Sequence, residues 1–322
     1  MLGIDTINQL TDTIVAQIGG DHPNLLNRYP LRRYIECLDR YPELAPYDYR
    51  SAEVAHYCDA IVRETCTGTL ESYHKLLLLS LIARAQDELA GSRLPANVRS
   101  MYDDNFRRIA RSIERGNVPP GFFRHPKFCK ELAICTRRFI PAGVQKVHLH
   151  GLPKKCLLRK RPRELRSAVR LFAELGGLKP LYEMHLHVRD RKAMALFNPE
   201  GWTQFYRTVA DLLEMHPRVK GAFGSGWLFD PQLEHISSEL AYLRHLVADN
   251  GGTVFGLGLC DARATKDATR MSPVRKRLYV DGKYTPRDYL VVWPRKPLIA
   301  WAHTQRQLQT ENGEDRRLCC RN

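Results

Sequence analysis

The chain has 322 residues, 43% of them apolar and 26% charged, a balance that buries a real core and excludes wholesale disorder. A net charge of +15 and a pI near 9.5 make polyanions natural partners, although a plain basic surface has the same composition. The longest apolar run, residues 76–79 and on to Ile82, is far short of the roughly 20 residues of a membrane span.

The first 135 residues read as helical. Asp5 caps a helix over 5–18, and His22-Pro23 breaks it. Further helices follow over 30–40, 51–66, 69–89 and 97–115, the last closed by Gly116 and the Pro119-Pro120-Gly121 turn. No strand alternation intrudes, so this part is an all-α bundle or cap. The character changes near residue 140. Strands over 144–152, 181–188, 219–229 and 253–260 alternate with helices over Pro162–Leu175, Pro199–Met215, 237–248 and Pro273–Val280. Two closing strands, 288–293 and 298–301, flank a turn at 294–297. Strands alternating with helices imply βαβ units. The expected fold class is therefore α+β or α/β, a helical N-terminal part followed by a mixed, largely parallel sheet with crossover helices. The expected domains are 1–138, 139–303 and a solvated tail over 304–322. Nine cysteines lie between Cys37 and Cys320 with no Cys-x-x-Cys pair. That excludes a disulfide framework and a zinc ribbon and, with no leader-like N-terminus, makes the cytoplasm the expected compartment.

The most specific local pattern is a pair of His-x-His strands, Lys146-Val147-His148-Leu149-His150 and Glu183-Met184-His185-Leu186-His187-Val188-Arg189. Side chains of a strand alternate between faces, so each segment has one apolar and one ionisable face. Because a helical crossover joins them, the two strands are expected to be parallel neighbours. Interior parallel strands are normally apolar on both faces, so a row of histidines marks either a wet edge or the lining of a cavity. In a cavity, Glu183, His185 and His187 are the candidate acid–base groups, with His148, His150 and Arg189 binding substrate. No cysteine or carboxylate cluster at metal spacing accompanies them, so no metal ligand is assigned. A single strand histidine is, in the ordinary case, a hydrogen-bonded structural group. Two other readings stay open. The histidines of both strands could hold a metal, or Glu53-x-x-His56 and Glu71-x-x-His74 could build a metal site between helices. Arg159, Arg163, Arg166 and Arg170 recur three or four apart, a basic face suited to an acidic, phosphorylated or RNA partner, or simply to water.

From Val219 on, the order is strand, helix, strand, helix, closing strands. With Asp230-Pro231 after its first strand and Leu278-Tyr279 before its last, residues 219–302 resemble the C-terminal half of the GNAT acyltransferase superfamily. The resemblance implies acyl transfer from an acyl-CoA or other acyl donor to a small, amino-bearing substrate. It implies Tyr279 as general acid, Gln232, Ser237 and Ser238 at the cofactor loop, and Trp227 beside the substrate. Where the family has Arg/Gln-x-x-Gly-x-Gly/Ala, this chain has Gln232-Leu233-Glu234-His235-Ile236-Ser237. Gly224-Ser225-Gly226 lies within a strand and is not a nucleophile elbow.

Overall fold

A computed structural model describes residues 4–47, 52–118, 121–152, 162–186 and 191–319. The chain divides into two compact units, Met1–Pro141 and Ala142–Asn322. The first is built from the helices Ile4–Asp21, Leu25–Arg28, Leu31–Asp39, Ala52–Glu64, Thr67–Ala90, Ala96–Glu114 and Pro126–Cys135. Thr67–Ala90 is its axis. Leu70, Tyr73, Leu76, Leu77, Leu78, Leu79, Leu81 and Ile82 are all buried on it, so this helix is apolar almost all round, as a central helix must be. Pro126–Cys135 was not singled out in the sequence. Pro126 stands in its first turn, and the His125 ring accepts the Lys127 amide at 3.1 Å, a cap supplied by a residue type outside the usual set.

His74 sits in this core with both ring nitrogens satisfied. Nδ1 lies 3.0 Å from the Leu70 carbonyl, which can only accept, so Nδ1 carries the proton and Nε2 accepts from the Tyr34 hydroxyl at 3.1 Å. Phe123 stacks on the ring and Phe128 meets it edge-on.

The strands are β1 (Ile140–Pro141), β2 (Gln145–His150), β3 (Leu181–Leu186), β4 (Gly221–Gly226), β5 (Thr253–Leu259) and β6 (Arg287–Pro294). In the second unit they run in the order β2-β3-β4-β6-β5. The sheet is mixed, but the expectation that it is largely parallel is corrected. Only β3 and β4 are parallel; β2/β3, β4/β6 and β5/β6 are antiparallel. The physical reason lies in the connection from β2 to β3. The Leu152 amide bonds to the Leu178 carbonyl at 2.8 Å, so the excursion carrying helix Pro162–Leu175 starts and finishes at one end of the strands. A crossover would have had to finish at the other. Gly176 and Gly177, at φ 59° and 122°, end that helix by turning the chain back.

The two sheet faces differ. Tyr182, Met184, Ala222 and Trp293 face the helices Pro199–Met215 and Arg295–Cys319, where Tyr206 meets Trp293 at 4.9 Å and Trp293 meets Trp301 at 5.0 Å. On the opposite face Leu181, Phe223, Phe255, Leu290 and Val292 pack under Ala168, Leu171 and Leu175 of helix Pro162–Leu175.

One further expectation is corrected here. Residues 298–301 are helix, not strand: Leu298, Trp301 and Ala302 are buried at helical spacing, and Pro297 stands in the first turn, where its missing N–H costs nothing. The tail expected to be solvated continues that helix to Cys319, and its residues 307–311 are exposed. His303 bonds to Glu214 at 2.6 Å, and Arg306 pairs with Asp211. No helix among the described residues is long and apolar enough to cross a membrane.

Burial lowers the His74 pKa from 6.5 to about 4. The fold therefore holds a neutral ring while the unfolded chain binds a proton below pH 6.5, so stability is lost as pH falls from 6.5 towards 4. The total loss is roughly 3 kcal/mol. Urea unfolding across this range should show that decline in the wild type and a shallower one in His74→Gln; identical slopes would contradict it.

Candidate active site

Antiparallel pairing sets Lys146 opposite His185, His148 opposite Glu183 and His150 opposite Leu181. Directly opposed residues share a face, so the ionisable groups of both strands gather on one side. Their backs are held by Val147, Tyr182 and Met184, all buried on the other face. On β4, Phe223 pairs with Glu183, so the polar group begins where the helix-covered apolar patch ends. Gly224 packs closely beside it: a Cβ there would lie 2.6 Å from the Met184 methyl, the flexible end of that side chain, and 3.4 Å from its Cβ.

His148 is the centre of the group and only 1% exposed. Its Nδ1 lies 2.9 Å from Nε2 of His185, a hydrogen bond in which one ring must donate and the other accept. The His150 ring stacks on it at 5.4 Å. A Glu183 carboxylate oxygen lies 3.7 Å from Nε2 of His148 and 3.7 Å from Nε2 of His185. These contacts lie just beyond hydrogen-bond length and become ion pairs only when an imidazole is protonated. His185 and Glu183 keep side-chain exposures of 16% and 27%, so the group has a closed back and an open front. Two imidazoles in contact can pass one proton between them, and the carboxylate balances the charge it brings.

Ligand atoms of His148, Glu183 and His185 also lie within 4.8 Å of one another, the one such set among the described residues that could hold a metal ion. Glu53-x-x-His56 and Glu71-x-x-His74 do not assemble, which corrects the second metal reading. Glu53 pairs with Arg40 at 2.8 Å, Glu71 accepts the Gly121 amide at 2.7 Å, His74 serves Leu70 and Tyr34, and His56 is exposed.

The remaining expected site residues are dispersed. His187 and Arg189 lie outside the described residues, as does Arg159, and the Arg163 side chain is not described. Arg166 is exposed, and Arg170, also exposed, pairs with Glu174 at 2.8 Å. Tyr279 is 44% exposed on helix Pro273–Val280 and makes no hydrogen bond to the histidines or Glu183. Gln232 bonds to Asp230 and to the Thr285 carbonyl. Ser238 is exposed at the start of a short 3-10 turn, Ser238–Leu240. The expected helix over 237–248 is thereby divided, the α-helix proper being Tyr242–Ala248. Ser237 does not cap it, because its hydroxyl accepts from buried Arg275 at 2.7 Å.

Arg275 and Tyr284 were not foreseen. Arg275 stands in the run Arg275-Lys276-Arg277, which carries no sign that one cation turns inward, and its 5% exposure comes from the fold. Trp227, just after β4, lies under the Arg275 guanidinium at 5.1 Å.

No protein-family model matches the chain, and no curated protein matches it. Solved structures similar to it include an acyltransferase in complex with decanoyl-CoA, at 12% identity and a TM-score of 0.45, covering 69% of this chain and 65% of that one. Over this match the chain spans just under two thirds of the other's length. An acyltransferase complex with decanoyl-CoA and teicoplanin is 13% identical with a TM-score of 0.44, covering 82% and 88%. A complex with CoA and 10C-teicoplanin is 13% identical with a TM-score of 0.41, covering 84% and 87%.

The burial of the two rings separates their structural roles. His148→Ala removes an enclosed ring and should cost about 2–4 kcal/mol in denaturant unfolding. His185→Ala opens a site already facing water and should cost about 1 kcal/mol. Equal losses would mean that the front of the group is no more open than its back.

Proposed function

We propose that the protein transfers an acyl group from an acyl-CoA or similar thioester to the amino group of a small acceptor. His148, Glu183 and His185 manage the proton. The observation that carries the reading is the 2.9 Å contact between two imidazoles beside a carboxylate, closed behind and open in front. An ammonium acceptor is inert until it loses a proton, and a histidine positioned beside it titrates in the useful range. In this scheme His185, the more exposed ring, takes the proton and His148 shares it through Nδ1. Glu183 offsets the positive charge. The free amine then forms the C–N bond and the thioester C–S bond breaks; the departing thiolate takes one proton from the imidazole pair, and the second proton lost by the acylated nitrogen passes through His185 to solvent at the open front.

The resemblance of residues 219–302 to the GNAT superfamily supports the choice of donor. So does the parallel pair. Pairing of β3 with β4 is registered only at Tyr182/Ala222 and Glu183/Phe223, although both strands continue for three residues. Ligands of α/β sheets characteristically lie outside the carboxyl ends of parallel strands. Here that end holds His185 on one strand and leads to Trp227 from the other.

A second reading rests on the same atoms. Ligand atoms around a tetrahedral zinc stand about 3.3 Å apart, given bonds of about 2.0–2.1 Å. The two 3.7 Å His–Glu separations come close to that spacing. Two histidines and one carboxylate would leave further positions open for substrate or water. Elemental analysis of the purified protein decides between the readings: stoichiometric zinc or iron favours the metal, and metal-free active protein favours acid–base work.

His185→Ala and Glu183→Gln should each lower kcat for amine acylation by about 100-fold or more, with far-ultraviolet circular dichroism unchanged. A folded His185→Ala protein with wild-type turnover would remove the proposal.

A further inference from the structure

A charge is buried elsewhere in the second unit without a counter-charge beside it. Arg275, on helix Pro273–Val280, is 5% exposed. Its Nε donates to the Ala268 carbonyl and its Nη1 to the Ser237 hydroxyl, both at 2.7 Å. Its guanidinium lies over the Trp227 ring at 5.1 Å. All three neighbours are uncharged. Arg275 forms no ion pair; Glu239 acts on it only through space and is exposed. Nη2 has no hydrogen-bond partner among the described residues, and it is not among their sealed polar atoms.

Enclosing a cation in this way is costly unless an anion accompanies it, because a buried guanidinium loses its hydration and regains little from carbonyl and hydroxyl dipoles. The same place holds a second unsatisfied donor. Tyr284 is 2% exposed, its hydroxyl has no hydrogen-bond partner among the described residues, and it lies within electrostatic reach of the Asp230 carboxylate first and of Arg275 second. The buried acid that acts on Tyr284 has partners of its own: Asp230 accepts the Gln232 and Arg287 amides at 3.0 and 3.1 Å. A guanidinium with one arm spare, a serine hydroxyl and an unused tyrosine hydroxyl on an aromatic floor form a donor set that suits an oxyanion.

We infer that Arg275, Ser237 and Tyr284, floored by Trp227, form an oxyanion site that takes a carboxylate or phosphate group of a small-molecule ligand. The site uses none of the side chains of the His148–Glu183–His185 group. It stands whether or not those residues move protons, and its failure would leave that reading untouched.

Isothermal titration of the full-length protein tests it with inorganic phosphate and with acetate, chloride at matched ionic strength serving as blank. The wild type should bind at least one of the two saturably. Phosphate alone identifies a phosphorylated ligand, and acetate alone a carboxylate one. Arg275→Met should weaken binding at least tenfold while unfolding no earlier than the wild type in anion-free buffer, since it removes an uncompensated buried charge. Tyr284→Phe, which breaks no hydrogen bond within the protein, should weaken binding severalfold at unchanged stability, and it carries the test should Arg275→Met not fold. Absence of any heat beyond the chloride blank in the wild type would overturn the inference. So would equal affinity in both variants.

Discussion

The antiparallel pairing of β2 with β3 is the constraint on which the proposed chemistry depends. The Leu152–Leu178 backbone bond closes the excursion between them, and Val147, Tyr182 and Met184, buried on the far face, hold the register. A slip of one residue would carry every side chain of β2 to the other face. Val147 would then stand where His148 now meets Glu183, and the histidines would be driven into an apolar layer of tryptophan and tyrosine. The price of misregistration is therefore the core itself, which is why the ionisable groups stay assembled although they attract each other only moderately.

Three buried cationic or potentially cationic side chains show how environment assigns roles. His74 has both nitrogens satisfied and aromatic rings around it, so it is held neutral, with its one proton committed to the Leu70 carbonyl. His148 is as deeply buried, but its partner is another imidazole, with a carboxylate 3.7 Å away and an exposed edge in front. In the proposed scheme that arrangement accepts a proton and passes it on. Arg275 is buried except at one unfilled donor, and in our inference that donor meets a ligand.

Much of the fold was legible because period and punctuation agree locally. Pro162–Leu175, Pro199–Met215 and Pro273–Val280 each begin with proline at the first helical position, and the structure has all three with those bounds. The alternation of His148 and His150 against Val147 likewise announced a strand with one ionisable face. The direction of pairing was hidden. A helix in a connection suggests a crossover, yet here the chain returns at the end it left from, as the Leu152–Leu178 backbone bond records, and local pattern does not encode that return. Leu298 and Trp301 misled for a related reason: four residues after Pro297 fit a strand or a helix equally, and only burial at helical spacing distinguishes them. Arg275 was invisible because its neighbours Lys276 and Arg277 give it the look of a solvated run.

The central claim, that an imidazole pair and a carboxylate do acid–base work without a metal, is tested most directly by turnover after stripping. The protein would be treated with a strong chelator and desalted, and amine acylation followed with acetyl-CoA as donor. Unchanged kcat in the stripped protein is the result expected of the His148–His185 contact and its flanking Glu183. Loss of turnover on stripping, with recovery on adding zinc or iron, would contradict it and make the same three residues ligands.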